Sequence, residues 1–470
     1  MKNFIILFCL TLNIAFSQST PESNKNKITQ YLEVIKNNYN VPGMVVAVSN
    51  KDGIEYIKSF GNVSIEDNFI IGSTSKSFTA LMILRLQEKG LLSIHDPVVK
   101  YLSWFEYKNK EVSDKVTIKN LLNHASGQPA EIGLAFFPDK DMSDERVILK
   151  LIELLKSVKV DKYPIKDFDY SNTNYQILTY IIEEITGKEY SVVLKEEITD
   201  LLKLKNTSAV LPSNIAQGYQ PFLYYPIIPI SENNYNKVDI SGGYINSNAN
   251  DMSMYLREIM NSFNNDSTSV ISKNITDQLF KRNEENNADY ALGWSTNQYR
   301  GTKIFFHNGL TQSFNTAMVV VPEIEKTIIV LANNYGESAF LTSLGVLSIL
   351  LDKEPFKPSK IYFNPVRNLP FLVLLFLIIF IMVCKKWLRK GKPIGTSRKI
   401  VPNLLLTIGI IIALSWTFYL PSIFRASVKA MFEFDITTGV SAVLLTIFTL
   451  GISFILYFNS VRKTLPNSLE

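Results

Sequence analysis

Three long apolar stretches near the C-terminus, residues 369–384, 404–420 and 440–458, constrain this chain more than any other feature. Each is close to the length a helix needs to cross a hydrocarbon layer about 30 Å thick. The first reaches that length if Val366 or Lys385 snorkels toward the head groups. Backbone groups in lipid must find their partners inside the segment, so these stretches are expected as helices. The chain of 470 residues must therefore divide into a three-helix membrane domain over 369–470 and a separate body. Between the first two stretches stand Lys385, Lys386, Arg389, Lys390, Lys392, Arg398 and Lys399. Such a cluster marks the cytoplasmic side of a membrane. A nucleic-acid patch is the competing reading, but the position between two spans explains the cluster better, and no nucleic-acid partner is expected. The body then lies outside the cell or in the periplasm. The first span enters, the second returns and the third enters again, leaving Arg462, Lys463 and the C-terminus in the cytoplasm. The outer segment 421–437 balances Arg425 and Lys429 against Glu433 and Asp435, so it carries no strong bias. The spans contain no charged residue of the kind that marks a transport path, which leaves anchoring as their expected role.

The other end of the chain agrees with export. Lys2, the apolar run 4–12 and Ala15-Phe16-Ser17 have the order of a secretory signal over 1–17. The cysteines are Cys9, inside that signal, and Cys384, so the processed body can form no internal disulfide and has no thiol nucleophile. With His95, His124 and His307 as the full set of histidines, a multi-histidine metal site is not expected, and no cofactor is called for. The net charge of +5 belongs largely to the basic cluster, and the exported body is expected to be near neutral or slightly acidic.

The body, 18–351, mixes strand and helix signals without a βαβ rhythm. Val45-Val46-Ala47-Val48 and Glu55-Tyr56-Ile57-Lys58 flank Asp52-Gly53, a hairpin signature. Residues 303–306, 316–321 and 327–331 repeat the pattern of short strands. Between these sets lie helical stretches, 78–89 ending at Gly90 and 175–185 ending before Gly187. The simplest arrangement pairs first and last strands in one antiparallel sheet, with a helical insertion between them. Asn-rich patches at 233–236 and 261–265 are expected as surface loops, and 352–368 as the linker to the membrane.

Three short motifs carry the chemistry. Ser73-Thr74-Ser75-Lys76 sets a hydroxyl and an amine one turn apart at an expected helix start. A helix N-terminus favours negative charge developing near Ser73. The helix that follows is apolar on almost every side and should be buried, which lowers the pKa of Lys76 and suits it to act as a neutral amine base. Tyr170-Ser171-Asn172 offers a phenol to relay protons and an amide to hold substrate. His307-Asn308-Gly309 ends an apolar strand, where Gly309 lets a substrate backbone lie close to the edge. Singly these motifs are weak. Ser460-Val461-Arg462-Lys463 repeats the first, Tyr107-Lys108-Asn109 and Tyr244-Ile245-Asn246 repeat the second, and a lone His after Phe305-Phe306 is more often a packed structural residue.

In combination, with their flanks, they resemble one family. The stretches are Ile71-Gly72-Ser73-Thr74-Ser75-Lys76, Gly90-Leu91-Leu92-Ser93-Ile94-His95-Asp96-Pro97, Leu121-Leu122-Asn123-His124-Ala125-Ser126-Gly127, Tyr170-Ser171-Asn172-Thr173-Asn174-Tyr175, Ser241-Gly242-Gly243-Tyr244, Leu292-Gly293-Trp294 and His307-Asn308-Gly309. Over nearly the whole exported body the chain resembles the serine β-lactamase and penicillin-binding-protein superfamily, on the branch of class C β-lactamases and D-amino-acid peptidases. The resemblance implies an α+β fold, an antiparallel sheet flanked by helices beside a mostly helical subdomain. It implies Ser73 as the acylated nucleophile, Lys76 and Tyr170 as proton handlers, and Asn172, His307 and Gly309 as substrate-binding residues. The oxyanion hole would be the backbone N–H groups of Ser73 and Leu310. The loop of His124 and Ser126-Gly127 is then structural. His307 stands where many β-lactamases have lysine, offering a neutral imidazole donor in place of fixed charge. No counterpart of the acidic deacylation base of class A enzymes is evident. The three-span tail is similar to that of prodrug-activating D-amino-acid peptidases of the colibactin-maturing type. A small-molecule or peptide amide next to a D-residue is the implied substrate; an ester, a D-alanyl wall peptide or a β-lactam are the alternatives, the last also as ligand of a sensor without turnover.

Overall fold

The structure, a computed structural model, describes residues 23–134, 143–223, 225–231, 237–282, 288–356, 368–388, 400–423 and 428–461. The expected signal, the Asn patch 233–236, most of the linker and five of the seven basic residues after the first span lie outside them. In chain order the longer strands are β1 (Gly43–Ser49), β2 (Ile54–Gly61), β3 (Gly218–Phe222), β4 (Tyr225–Ile230), β5 (Ser295–Tyr299), β6 (Thr302–Leu310), β7 (Asn315–Val321) and β8 (Lys326–Ala332). Six of them form an antiparallel sheet in the order β2-β1-β8-β7-β6-β5. The first strand pairs with the last, Val46 opposite Val330, as the sequence suggested. β3 and β4 make a separate hairpin.

The central strands β1 and β7 are buried at every position, so they lack the alternation of half-exposed strands. Their side chains split between two cores. Met44, Val46 and Val48 pack with Val319 and Val330 beneath helices α1 (Asn24–Asn38) and α6 (Ser338–Leu350). Val45 and Ala47 join Met318 and Leu331 against α2 (Ser75–Glu88) and α5 (Ala249–Phe263). The second core continues into a mostly helical region that includes α3 (Asp144–Ser157) and α4 (Asn172–Thr186). This is the α+β architecture expected, helices on both faces of a sheet with a helical subdomain beside it.

Several boundaries differ from expectation: α2 begins at Ser75, not at 78, and β6 runs on to Leu310, not 306. α4 begins at Asn172, not at 175, because contacts from a neighbouring loop hold its polar first turn in helical form. The Asn patch 261–265 is not wholly a loop, since α5 continues to Phe263 and Asn261 lies in its last turn.

At the C-terminal end stand α7 (Leu369–Leu388), α8 (Ile400–Leu414), α9 (Val428–Phe434) and α10 (Ile436–Val461). α8 continues through one wider turn into the short helix Leu420–Ile423. Among the described residues three helices are long and apolar enough to cross a membrane, over Leu369–Lys386, Leu406–Ile423 and Ile436–Phe458. Large apolar side chains such as Phe371, Ile411 and Phe454 point outward from them, the opposite of a water-facing surface. Residues 428–434, before the third of these helices, are themselves helical. Asp435 caps α10, its carboxylate accepting from the N–H groups of Thr437 (3.0 Å) and Thr438 (3.2 Å).

Candidate active site

Ser73 sits in a tight turn, Gly72–Thr74, that runs into α2. Gly72 has φ +56°, and a Cβ there would lie 2.5 Å from the Leu310 nitrogen. A Cβ on Gly309 would lie 2.0 Å from the Ile71 carbonyl. Only glycines allow this backbone-to-backbone approach of the turn and the end of β6. Thr316 on β7 and Thr74 both donate to that carbonyl at 2.7 Å, fixing the turn to the sheet. The backbone of Leu310 is thereby held beside Ser73.

Lys76 lies one turn into α2 and is wholly buried. Its Nζ is 3.0 Å from Ser73 Oγ, 2.8 Å from Asn172 Oδ1 and 2.6 Å from the Gly242 carbonyl oxygen. Burial lowers its pKa to about 7, opposed by the charge of Asp239. The proton inventory then follows from donor and acceptor chemistry. Both oxygens other than that of Ser73 can only accept. A neutral amine gives its two N–H bonds to them and turns its lone pair to the Ser73 hydroxyl, the arrangement a general base requires.

Tyr170 is held above the same ammonium position, with Lys76 Nζ 4.9 Å from its ring centroid. Its hydroxyl is buried and closes no hydrogen bond of ordinary length. Burial raises its pKa above the usual phenol range, and the nearby Ser73 hydroxyl offsets this only in part. Tyr170 is therefore a phenol, not a phenolate, at working pH. The loop around His124 supports it. His124 Nδ1 faces two N–H donors, Asn174 Nδ2 at 3.0 Å and the Ser171 backbone at 3.3 Å, and its ring packs 4.2 Å from that of Tyr170. Ser126 Oγ donates to Asn174 Oδ1 at 2.5 Å. Burial and the Lys76 charge push the His124 pKa well below its ordinary value, so the ring is neutral, with its proton on Nε2.

His307 is likewise turned inward. Its Nδ1 lies 2.7 Å from the Asn308 carbonyl and its Nε2 2.9 Å from the Tyr290 hydroxyl. Desolvation lowers its pKa to about 3, with Lys76 adding to the effect. A carbonyl only accepts, so Nδ1 carries the proton and the Tyr290 hydroxyl donates to Nε2.

Ser73, Asn172, Leu310 and Thr311 line one cleft, joined by Gln176, Asp239 and Gly242. Lys76 and Tyr170 stand immediately behind Ser73, Gly309 is spent on contact with Ile71, and His307 reaches the cluster through Tyr290. Sequence reasoning missed Gly242, Asp239, Gln176 and Tyr290 as parts of the site. Gly242 was visible only inside Ser241-Gly242-Gly243-Tyr244, and nothing in the sequence marks its carbonyl as a lysine partner. Gln176 Nε2 donates to Asp239 Oδ1 at 2.6 Å, joining the fourth residue of α4 after Asn172 to the cleft floor. Among the described residues no group of His, Cys, Asp or Glu comes together as a metal site.

A serine hydroxyl bonded to a buried lysine, beside a strand end and a tyrosine, is the arrangement that serine acyl transfer requires. The chain belongs to the Beta-lactamase family, whose model matches residues 25–348. It is 29% identical over 346 residues to penicillin-binding protein 4* of Bacillus subtilis (strain 168), covering 68% of this chain and 74% of that protein. It is 25% identical over 317 residues to protein flp of Staphylococcus aureus (strain MW2), covering 63% of this chain and 60% of that one. Among solved structures, the octameric penicillin-binding protein homologue from Pyrococcus abyssi shares the fold with a TM-score of 0.61 at 24% identity, over 74% of this chain and 81% of that one. The protein is thus a hydrolase of the β-lactamase and penicillin-binding-protein superfamily.

Proposed function

We propose that the protein is a membrane-anchored serine hydrolase that forms an acyl-enzyme on Ser73 and cleaves an amide next to a D-configured residue. One observation carries the mechanism: a buried amine whose two obligate acceptors, Asn172 Oδ1 and the Gly242 carbonyl, leave its lone pair for Ser73. Lys76 removes the hydroxyl proton as Ser73 Oγ attacks the carbonyl carbon. The oxyanion forms against the backbone N–H groups of Ser73 and Leu310. The proton then passes from Lys76, through or beside the Tyr170 phenol, to the leaving nitrogen as the C–N bond breaks. Water repeats the sequence to release the acid. Asn172 keeps Lys76 oriented and positions the substrate amide, while Gly309 holds the end of β6 against the Ser73 turn. His307 acts through Tyr290, keeping the wall behind Tyr170 neutral and packed.

The catalytic domain, 18–351, is placed outside the cytoplasm, joined by 352–368 to the spans, with the C-terminus inside. The basic residues after the first span support that orientation. Residues 1–17 would be removed on export. The D-residue preference rests on the resemblance of the motifs and the three-span tail. Incubating the purified protein with paired N-acyl-D- and N-acyl-L-asparagine amides tests it. Release of the acyl amino acid from the D-form alone is expected, and equal or exclusive cleavage of the L-form would remove the assignment.

A second reading, a penicillin-binding protein without turnover, draws on the name of the Bacillus subtilis relative. Both readings allow a penicillin adduct on Ser73; this one predicts that the adduct persists and that no amide is released.

A further inference from the structure

Residues 433–437, at the start of the third span, are bonded to the catalytic domain beside the cleft. Gln312 Nε2 donates to Glu433 Oε2 at 3.1 Å, and the Gln220 side-chain amide donates to the Glu433 carbonyl. Four residues on, Thr437 Oγ1 accepts from the Leu223 N–H at 3.3 Å and donates to the Pro221 carbonyl at 3.0 Å. Gln312 and Gln220 are both buried, at 2% and 3% exposure, so they are specific partners and not surface contacts made in passing. Glu433 lies in the last turn of α9, and Asp435 caps α10 two residues later, so the element that meets Gln312 is tied to the third span.

The place of contact matters. Gln312 lies in the β6–β7 turn, two residues after Leu310, whose backbone touches the Ser73 turn at Gly72. Thr311 organises that turn from within, its hydroxyl accepting from the N–H groups of Ser313 (3.3 Å) and Phe314 (3.1 Å). β3 closes on it from the side: a Cβ on Gly218 would lie 2.2 Å from Ser313 Oγ. The turn is therefore held between Ser73 on one side and β3 with Glu433 on the other.

We infer that the membrane segment is part of the active-site scaffold, with Glu433 a positioning residue that fixes the turn carrying the Leu310 N–H. The catalytic half of this inference rests on the proposed role of Leu310 in the oxyanion hole. An oxyanion donor must be in place before the charge develops, and a shift of about 1 Å in such a group costs up to ~10²-fold in rate. Anchoring alone would need no such bonds, since a linker suffices to tether a domain.

The test uses the full-length protein in nanodiscs, as wild type, Glu433→Ala, Glu433→Gln and Ser73→Ala. Hydrogen exchange over residues 310–316 reads the scaffold without reference to activity. Labelling by a fluorescent penicillin, followed over time and concentration, separates the acylation rate constant from the binding constant. Glu433→Ala is expected to speed exchange over 310–316 and to slow acylation ~10-fold with binding changed less than ~2-fold. Glu433→Gln keeps an acceptor oxygen for Gln312 and should restore both. Unchanged exchange and rate in Glu433→Ala, or a Gln variant as impaired as the Ala one, would overturn the inference. Labelling that persists in Ser73→Ala would overturn the acyl-enzyme reading and the catalytic half with it, while the exchange result still decides the scaffold.

Discussion

Lys76 shows what burial does to a single residue. Its pKa falls from 10.5 to about 7 because the helix around it leaves no water for the ammonium. Catalysis and stability then respond to pH with worked-out signs. The base form is the neutral amine, so the acylation rate should climb as pH rises through about 7 and level off above it. Between that value and the unfolded pKa of 10.5 the unfolded chain binds the extra proton, so this residue makes the fold more stable as pH rises across that window. Rapid-mix labelling and denaturant titration across pH 6–10 would read the two effects separately; a flat acylation rate across pH 7 would exclude Lys76 as base. Lys76→Ala should slow acylation by about 10²–10⁴-fold. Gly309→Ala is a sharper structural test, since its Cβ meets the Ile71 carbonyl at 2.0 Å and no side chain can move to relieve it. Loss of acylation together with a lower melting temperature is expected, and a variant that labels normally would contradict the backbone contact. Ser73, Lys76, Tyr170 and Asn172 were all legible in the sequence as site candidates because their motifs, weak singly, occur together with flanking stretches that resemble one family. The acceptor role of Gly242 and the inward turn of His307 were not, because they depend on which distant backbone segment faces each side chain.

At the scale of elements, α2 does two tasks at once: it presents Ser73 and Lys76 and fills the core between sheet and helical subdomain. Phe78 is stacked on Tyr255 of α5 with ring centroids 4.0 Å apart. Phe78→Ala should cost about 3–5 kcal/mol, read as a fall in the denaturation midpoint, and should loosen Ser73 as α2 loses its seat. A loss below 1 kcal/mol would mean that the helix is not anchored there. The strands were legible through their short apolar runs and the Asp52-Gly53 turn, and β1 pairs with β8 as chain order suggested. The start of α4 was not. Asn172, Thr173 and Asn174 are weak helix formers, and the bonds from His124 and Ser126 that settle their conformation come from some fifty residues earlier in the chain.

The whole molecule joins a hydrolase domain to three membrane-compatible helices, and those helices were legible in the sequence as apolar runs. The docking of residues 433–437 on β3 and the β6–β7 turn was not legible, since Glu433 and Thr437 read as ordinary polar residues of a short connecting segment. The proposed topology rests on charge and predicts that a cysteine placed at Asn24 reacts with an impermeant maleimide in intact cells and one at Lys386 does not, in a Cys384→Ser background. The reverse pattern would turn the protein over in the membrane. The central claim, that Ser73 is the acylated nucleophile, is tested most directly by intact-mass analysis of the full-length protein and its Ser73→Ala variant after exposure to penicillin. A covalent adduct on the wild type that maps to Ser73 and is absent from the folded variant is predicted; an adduct of equal yield on both would contradict the account.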